Sequence, residues 1–377
     1  MSKLVKKRIS NIGLLVILCV ICGIMLFDVS GIAKAEEITS TPIPSPIVTS
    51  PPKNSIISGN YEYRIINELK KQASLTKVHN YGEEVELPSV IDGYNIVSIG
   101  INYDDQNISD EHGYRSIIMP IFSEEDTIVK KLIIPEGVVL VESNAFYKMK
   151  NLESLILPDS LKEIKENNFM DAGNIKSLAF LNEIYIWDNC FKDSVIGKLT
   201  INGSILTGAE EDDDASLCGM GGTIKQLIVN NKNKQKRTIL NLGRAHINNM
   251  VVSSSVKSIV LDGKYDNIKL KNSKTKIGYE EECAKIYKMT TMISKIKVKK
   301  KSAKYVYSWA PMKIEMSYWR MDGGGIKNMK SKVKYRILQK NRASKYKTIK
   351  TTKKTKIKLK SESKIKVEAV FSNDYLR

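Results

Sequence analysis

The chain has 377 residues, 42% of them hydrophobic, with 60 lysines and arginines against 41 acids and a net charge of +19. Such a length allows two domains, and five cysteines, two of them among the first 22 residues, exclude a small disulfide-stapled scaffold. The charge is unevenly placed: residues 290–377 hold 26 Lys/Arg against five acids, while residues 36–289 hold 29 against 35, so composition marks a domain boundary near residue 290.

Lys3, Lys6, Lys7 and Arg8 precede an uncharged apolar run from Ile12 to Phe27, and Ala33-Lys34-Ala35 follows. Basic, apolar and A-x-A segments in that order predict a secretory signal peptide over residues 1–35, cleaved after Ala35. The competing reading is an uncleaved membrane anchor, because the apolar run also sits near the lower limit for a span. The well-placed processing site favours cleavage. Neither Cys19 nor Cys22 has the small residue before it that a lipobox needs. Residues 36–58 hold five of the ten prolines among serines and threonines, which predicts an extended linker.

A repeat begins near Tyr61. Leu132-Ile133-Ile134-Pro135 recurs as Leu155-Ile156-Leu157-Pro158, and the pairs Val141/Ile164 and Phe146/Phe169 keep the same 23-residue interval. The cycle continues with drift at Leu178-Ala179-Phe180, Leu199-Thr200-Ile201, Leu227-Ile228-Val229 and Met250-Val251-Val252. Val85-Glu86-Leu87-Pro88 and Ile117-Ile118-Met119-Pro120 read as earlier members. A short apolar strand at this period predicts a leucine-rich-type solenoid over residues 59–289, in which each coil buries its apolar side only by stacking on its neighbours. Proline after the strand ends the ladder, and asparagines near the turns bond local backbone.

The stretch Val85 to Gly100 resembles the opening coil of BspA-type leucine-rich repeats of bacterial surface proteins, and Leu132–Phe146 and Leu155–Phe169 fit that family's strand, proline, apolar turn and Asn/Ala-Phe pattern. The likeness runs from Tyr61 to Phe191; later coils lack the proline and the phenylalanine. The resemblance implies adhesion to host matrix glycoproteins or other bacteria through the solenoid face.

Residues 290–377 alternate with period two, as in Lys295-Ile296-Lys297-Val298-Lys299 and Lys364-Ile365-Lys366-Val367-Glu368-Ala369-Val370. Half-buried strands separated by turns such as Asp322-Gly323-Gly324-Gly325 predict a small β-sandwich. Tyr335-Arg336-Ile337, Lys345 to Thr352 and Val367 to Val370 resemble a fibronectin type III module, with Trp309 or Tyr318 as the buried aromatic and Ile365 where that family has tyrosine. The expected fold is thus mainly β: a leucine-rich-repeat solenoid followed by a small fibronectin III/Ig-like β-sandwich.

The sequence offers no catalytic, cofactor or metal constellation. His79, His112 and His246 stand far apart without metal-ligand spacing and read as single surface or turn histidines. Gly219-Met220-Gly221-Gly222 reads as a turn between coils, not a phosphate loop. Glu210 to Asp214 lacks the spacing of a calcium loop and reads as a solvated loop. Cys190, Cys218 and Cys283 allow at most one bridge and read as small core residues.

Two binding features remain. Tyr147, Tyr185 and Trp187 near repeat turns are candidate contacts for an extracellular protein or glycoprotein, with core filling as the alternative. Lys297, Lys299, Lys300, Lys301, Lys353, Lys354, Lys356, Lys358 and Lys360 would crowd strand faces with charge suited to an anionic cell-wall polymer or glycan. The alternative is protection of strand edges from aggregation. Nothing specifies nucleic acid, and a membrane enters only if residues 1–35 are retained. The expected function is a secreted or surface-held binding protein. A glycan-acting extracellular enzyme or accessory protein and a structural wall component are the alternatives.

Overall fold

The computed structural model describes residues 54–101, 120–122, 128–206, 219–232, 237–280, 285–312, 316–319, 332–341 and 344–372. The predicted signal peptide, most of the linker, His112, the acidic run, Cys218, Cys283 and the Asp322–Gly325 turn lie outside them.

Apolar residues alternating with polar ones give strands throughout, and the described residues contain no helix. Strands β1 (Ile56–Ser58), β2 (Tyr61–Asn67) and β3 (Gln72–Val78) pair antiparallel as an N-terminal ribbon. After β4 (Glu84–Glu86) and β5 (Val90–Ile91), β6 (Tyr94–Ile99) joins β3 in parallel. The chain then winds, giving one strand per coil to each of two parallel sheets.

The coils are β7 (Lys131–Ile133) with β8 (Leu140–Val141), β9 (Ser154–Ile156) with β10 (Glu163–Ile164), and β11 (Asn174–Phe180) with β12 (Ile184–Ile186). They continue as β13 (Val195–Ile201) with β14 (Ile205–Leu206), and β15 (Thr223–Val229) with β16 (Thr238–Leu240). The last are β17 (His246–Val252) with β18 (Ser258–Leu261), and β19 (Lys264–Leu270) with β20 (Lys276–Glu280). Even-numbered strands from β6 to β20 form one ladder, and β11, β13, β15, β17 and β19 the other. The three-residue β4, β7 and β9 form a short sheet of their own ahead of it, and the Lys176 N–H donates to the Glu153 carbonyl (2.9 Å) between β9 and β11.

β4 pairs directly with β7, Val85 beside Leu132, while Ile117–Met119 of the expected earlier unit lie outside the described residues. The later coils are the more regular ones. Without a proline behind the apolar triplet, β11, β13, β15, β17 and β19 each run for seven residues in unbroken register. The second, fifth and seventh residues of each point inward, as Ile196, Leu199 and Ile201 do in β13, and all are buried.

Between the sheets, Phe122, Phe146, Phe169 and Phe191 stack coil upon coil, with Phe146–Phe169 and Phe169–Phe191 centroids 5.0 and 5.4 Å apart and nearly parallel. Tyr81 closes the near end edge-on at 4.7 Å. Asn168, fully buried, accepts from the Phe146 N–H (3.0 Å) and donates to the Glu142 and Lys165 carbonyls (2.8 and 2.9 Å), so its polar atoms are matched to the turn backbone. Turn residues Asn144, Asn167 and Asn189 adopt φ of 60, 56 and 57°, a conformation asparagine tolerates well.

The charge boundary near residue 290 is no break in hydrogen bonding. β21 (Lys285–Ile286) and β22 (Lys288–Met292) pair with β19, and β22 also pairs antiparallel with β29 (Ile365–Ser372). In between run β23 (Lys297–Lys301), β24 (Lys304–Ser308), β25 (Met316–Trp319), β26 (Lys332–Lys340), β27 (Tyr346–Thr352) and β28 (Lys356–Leu359). The solenoid's long sheet continues as β19-β22-β29-β26-β27, β25 extends the short-strand sheet beside β20, and β23-β24-β28 form a separate sheet. Tyr307, Trp309 and Ile357 share one continuous core with Tyr335, Ile337 and Val367, and the Trp309 and Tyr335 rings meet at 5.5 Å. Residues Ile47–Arg377 accordingly make one compact unit. A chain stopped at residue 289 would bare the edge of β20 and the part of β19 beyond its pairing with β21, so it is expected to elute as aggregate in size-exclusion chromatography, while the full chain elutes as a discrete species.

Candidate binding surfaces

The seven-residue strands set their outward side chains in rows. Ser177, Lys198, Gln226, Asn249 and Asn267 stand in register, as do Ala179, Thr200, Ile228, Val251 and Lys269. The third and fourth residues of each strand are both turned outward, breaking the period of two and widening the polar part of the face. At its N-terminal margin lies a depression of about 350 Å³, lined by Lys192, Thr223, Arg244 and His246 over the backbone of Gly221 and Gly222. These glycines lie in the segment outside the strands that leads into β15.

The two described histidines are not solitary. His79 Nε2 lies 2.8 Å from Glu62, and His246 Nε2 lies 2.9 Å from Asp266. Burial pushes the Asp266 carboxyl up, but hydrogen bonds from His246 and Asn248 outweigh it and hold the group below the usual carboxylate range. Among the described residues, no three His, Cys, Asp or Glu side chains converge as a metal site.

The three candidate aromatics are not brought together as one constellation. Tyr185, 46% exposed, stands on β12, with Trp187 just beyond it, on the short-strand sheet. Tyr185 is in register with Leu140, Glu163 and Leu206 of neighbouring coils, and the Trp187 indole donates to Glu163 (2.6 Å). Tyr147 lies half-buried in the turn after Phe146, beneath the Lys148 ammonium at 5.2 Å.

The lysines divide by strand parity. β23 pairs with β24 as Lys297/Ser308, Lys299/Val306 and Lys301/Lys304, and β24 pairs with β28 as Ser308/Lys356 and Val306/Lys358. Paired residues of antiparallel strands point to one face. Lys297, Lys299, Lys301, Lys356 and Lys358 therefore share an outward face, joined by Lys304. Lys300 is paired with Tyr305 on the opposite face, its ammonium 5.9 Å from that ring. Lys353 and Lys354 lie in the turn before β28, and Lys360 follows it. All the face lysines are exposed, while Tyr307 and Ile357 beneath the sheet are buried. Lys304 was legible in the sequence: a two-residue turn, Ser302-Ala303, keeps it in phase with Lys301.

Cys190 replaces Asn168 one coil on, and its thiol donates to the Lys165 carbonyl (3.0 Å). Burial pushes its pKa well up, and the nearby Glu166 carboxylate adds to this. In a chain without residues 1–35 that carries Cys218→Ser/Cys283→Ser, Cys190 is the one thiol left and is expected to resist a thiol reagent at pH 8 until denaturant is added. Rapid labelling of the native chain would contradict its buried placement.

The BspA type leucine rich repeat region matches residues 105–210 in six copies. Two solved structures are similar. A leucine-rich repeat protein from Bacteroides ovatus is 17% identical, covering 59% of this chain and 67% of that one, with a TM-score of 0.28. The T. pallidum leucine rich repeat protein is 16% identical, covering 52% and 86%, with a TM-score of 0.28. No curated protein matches the chain.

Proposed function

We propose that the chain is an exported, non-enzymatic binding protein that recognises an extracellular protein or glycoprotein, of host or bacterial origin, through its solenoid. In this reading its basic C-terminal strands hold to an anionic cell-wall polymer or glycan. The observation that carries the reading is the unbroken register from β11 to β19, which aligns side chains of separate coils into flat outward rows suited to an extended macromolecule. The leucine-rich-repeat match is in keeping with a protein-binding role, and the segment Met1–Ala35 supports export and adhesion outside the cell. The C-terminal strands are read as a diverged fibronectin III-like sandwich. The order β27-β26-β29-β22 beside β23-β24-β28 supports this, with β22 standing where a closing strand would run.

The test uses the full chain against immobilised extracellular matrix glycoproteins and isolated bacterial walls, at low and high salt. Binding to a matrix protein should persist in high salt and be lost in a Thr200→Arg/Asn249→Arg chain, with Tyr185→Ala unaffected. Loss in Tyr185→Ala alone would move the contact to the short-strand sheet around Trp187. If the unaltered chain binds no glycoprotein, the recognition role is wrong.

A further inference from the structure

The lysine face has a spacing, and spacing selects a ligand. Along one strand, alternate residues lie about 6.6–6.8 Å apart, and strands two apart in a sheet are separated by roughly 9.5 Å. Lys297, Lys299 and Lys301 therefore form one column of charges on β23, and Lys356 and Lys358 a second on β28. Lys304 stands between the columns at one end, and Ser308 and Val306 fill the rest of the middle strand. Among the described residues, no carboxylate is paired with any of these six lysines.

Two residues of strand contain six backbone bonds. A phosphodiester chain linked through a three-carbon polyol also has six bonds from one phosphorus to the next (P–O, O–C, two C–C, C–O, O–P), which extended span about 7 Å. Each phosphate can then meet one lysine of a column without strain. Lysine suits this as a point charge that needs no planar partner. A nucleic-acid strand has a similar backbone repeat, but its bases call for aromatic platforms. Among the described residues none stands on this face: Tyr305 and Tyr307 belong to the other side of the sheet. Sulfated glycans carry charges on rigid rings at intervals set by the sugar, so they fit the columns less evenly.

We infer that the outward face of β23-β24-β28 binds a linear three-carbon polyol phosphodiester chain lying along the strands, with successive phosphates on Lys297, Lys299 and Lys301. The inference rests on the proposed role of the basic strands in holding an anionic polymer, and narrows that polymer to one chemistry.

The experiment titrates the full chain with poly(glycerol phosphate), heparin and oligothymidylate over a salt series. Poly(glycerol phosphate) should bind at least about tenfold more tightly than the other two. Lys297→Ser/Lys299→Ser should flatten the slope of log K against log salt by about 1.4, two contacts at roughly 0.7 each, and Lys300→Ser should leave it unchanged. Thermal melts of all the variants should coincide, because the side chains altered are exposed. If no polyanion binds, the anchoring role itself falls and the inference with it. If all three bind alike, or Lys300→Ser is as damaging as the double variant, the role stands and the assigned chemistry is wrong. Preference for oligothymidylate would instead make the face a nucleic-acid surface.

Discussion

Phe169→Ala is expected to lower the free energy of unfolding by about 3–5 kcal/mol. The ring lies fully buried between Phe146 and Phe191. Truncation opens a void at two coil interfaces and forfeits two ring contacts, each worth roughly 0.5–1.5 kcal/mol beyond area. Stability in a solenoid is approximately a sum of coil and interface terms, so the damage should be concentrated near that coil. The urea midpoint should fall, and amide exchange should rise first in the turns from Asn144 to Phe191. Tyr147→Ala, in a half-buried turn position, should cost under about 1.5 kcal/mol. Equal losses from the two would mean that the stacked rings are not what joins the coils.

Gly222→Ala should be nearly as severe, and for a different reason. Its φ is +79°, and a Cβ would sit 2.3 Å from the Phe191 carbonyl oxygen and 3.0 Å from that of Ser194. Both neighbours are turn carbonyls already held by hydrogen bonds, Phe191 accepting from the Ser194 N–H (3.1 Å) and Ser194 from the Thr223 N–H (2.9 Å), so neither yields cheaply. The left-handed conformation costs about 1–2 kcal/mol and forced overpacking typically another 1–3. Gly93 offers the comparison: its φ is +82°, with nothing within 4 Å of a built Cβ. Gly93→Ala should lose only the conformational part. Thermal melts of both variants separate the contributions, and equal shifts would show that the close approach at Gly222 is relieved by local movement.

The solenoid was legible because inward positions recur: Phe146 and Phe169, or Val141 and Ile164, are buried and therefore constrained in kind. The later coils look irregular in sequence because two markers vanish and the step from strand to strand varies between 18 and 28 residues. Leu181 stands where Pro158 would recur, and Met220 follows Phe191 as the buried turn residue, yet the inward triplets continue unbroken. The charge step at residue 290 comes from lysines, and exposed side chains do not decide which strands pair, so strands from both sides of it share one sheet. The partnership of β22 with β29 joins residues some 80 apart, which no local pattern encodes. Of the candidate site, strand parity would have set Lys300 apart and brought in Lys304. The wide face of β11 to β19 escaped notice because its rows exist only once separate coils are aligned.

The antiparallel ribbon β1-β2-β3 ends the ladder on one side, and β25 and β29 end it on the other. From β11 to β19 each long strand meets the next through equivalent inward positions, so a coil there can be duplicated or deleted without exposing a new edge. Each such event would lengthen or shorten the molecule by about 4.8 Å, the distance between neighbouring strands. Gene copies of this chain can therefore vary in coil number and reach while keeping both terminal folds, and the size of the recognition face becomes a quantity that recombination adjusts in single steps.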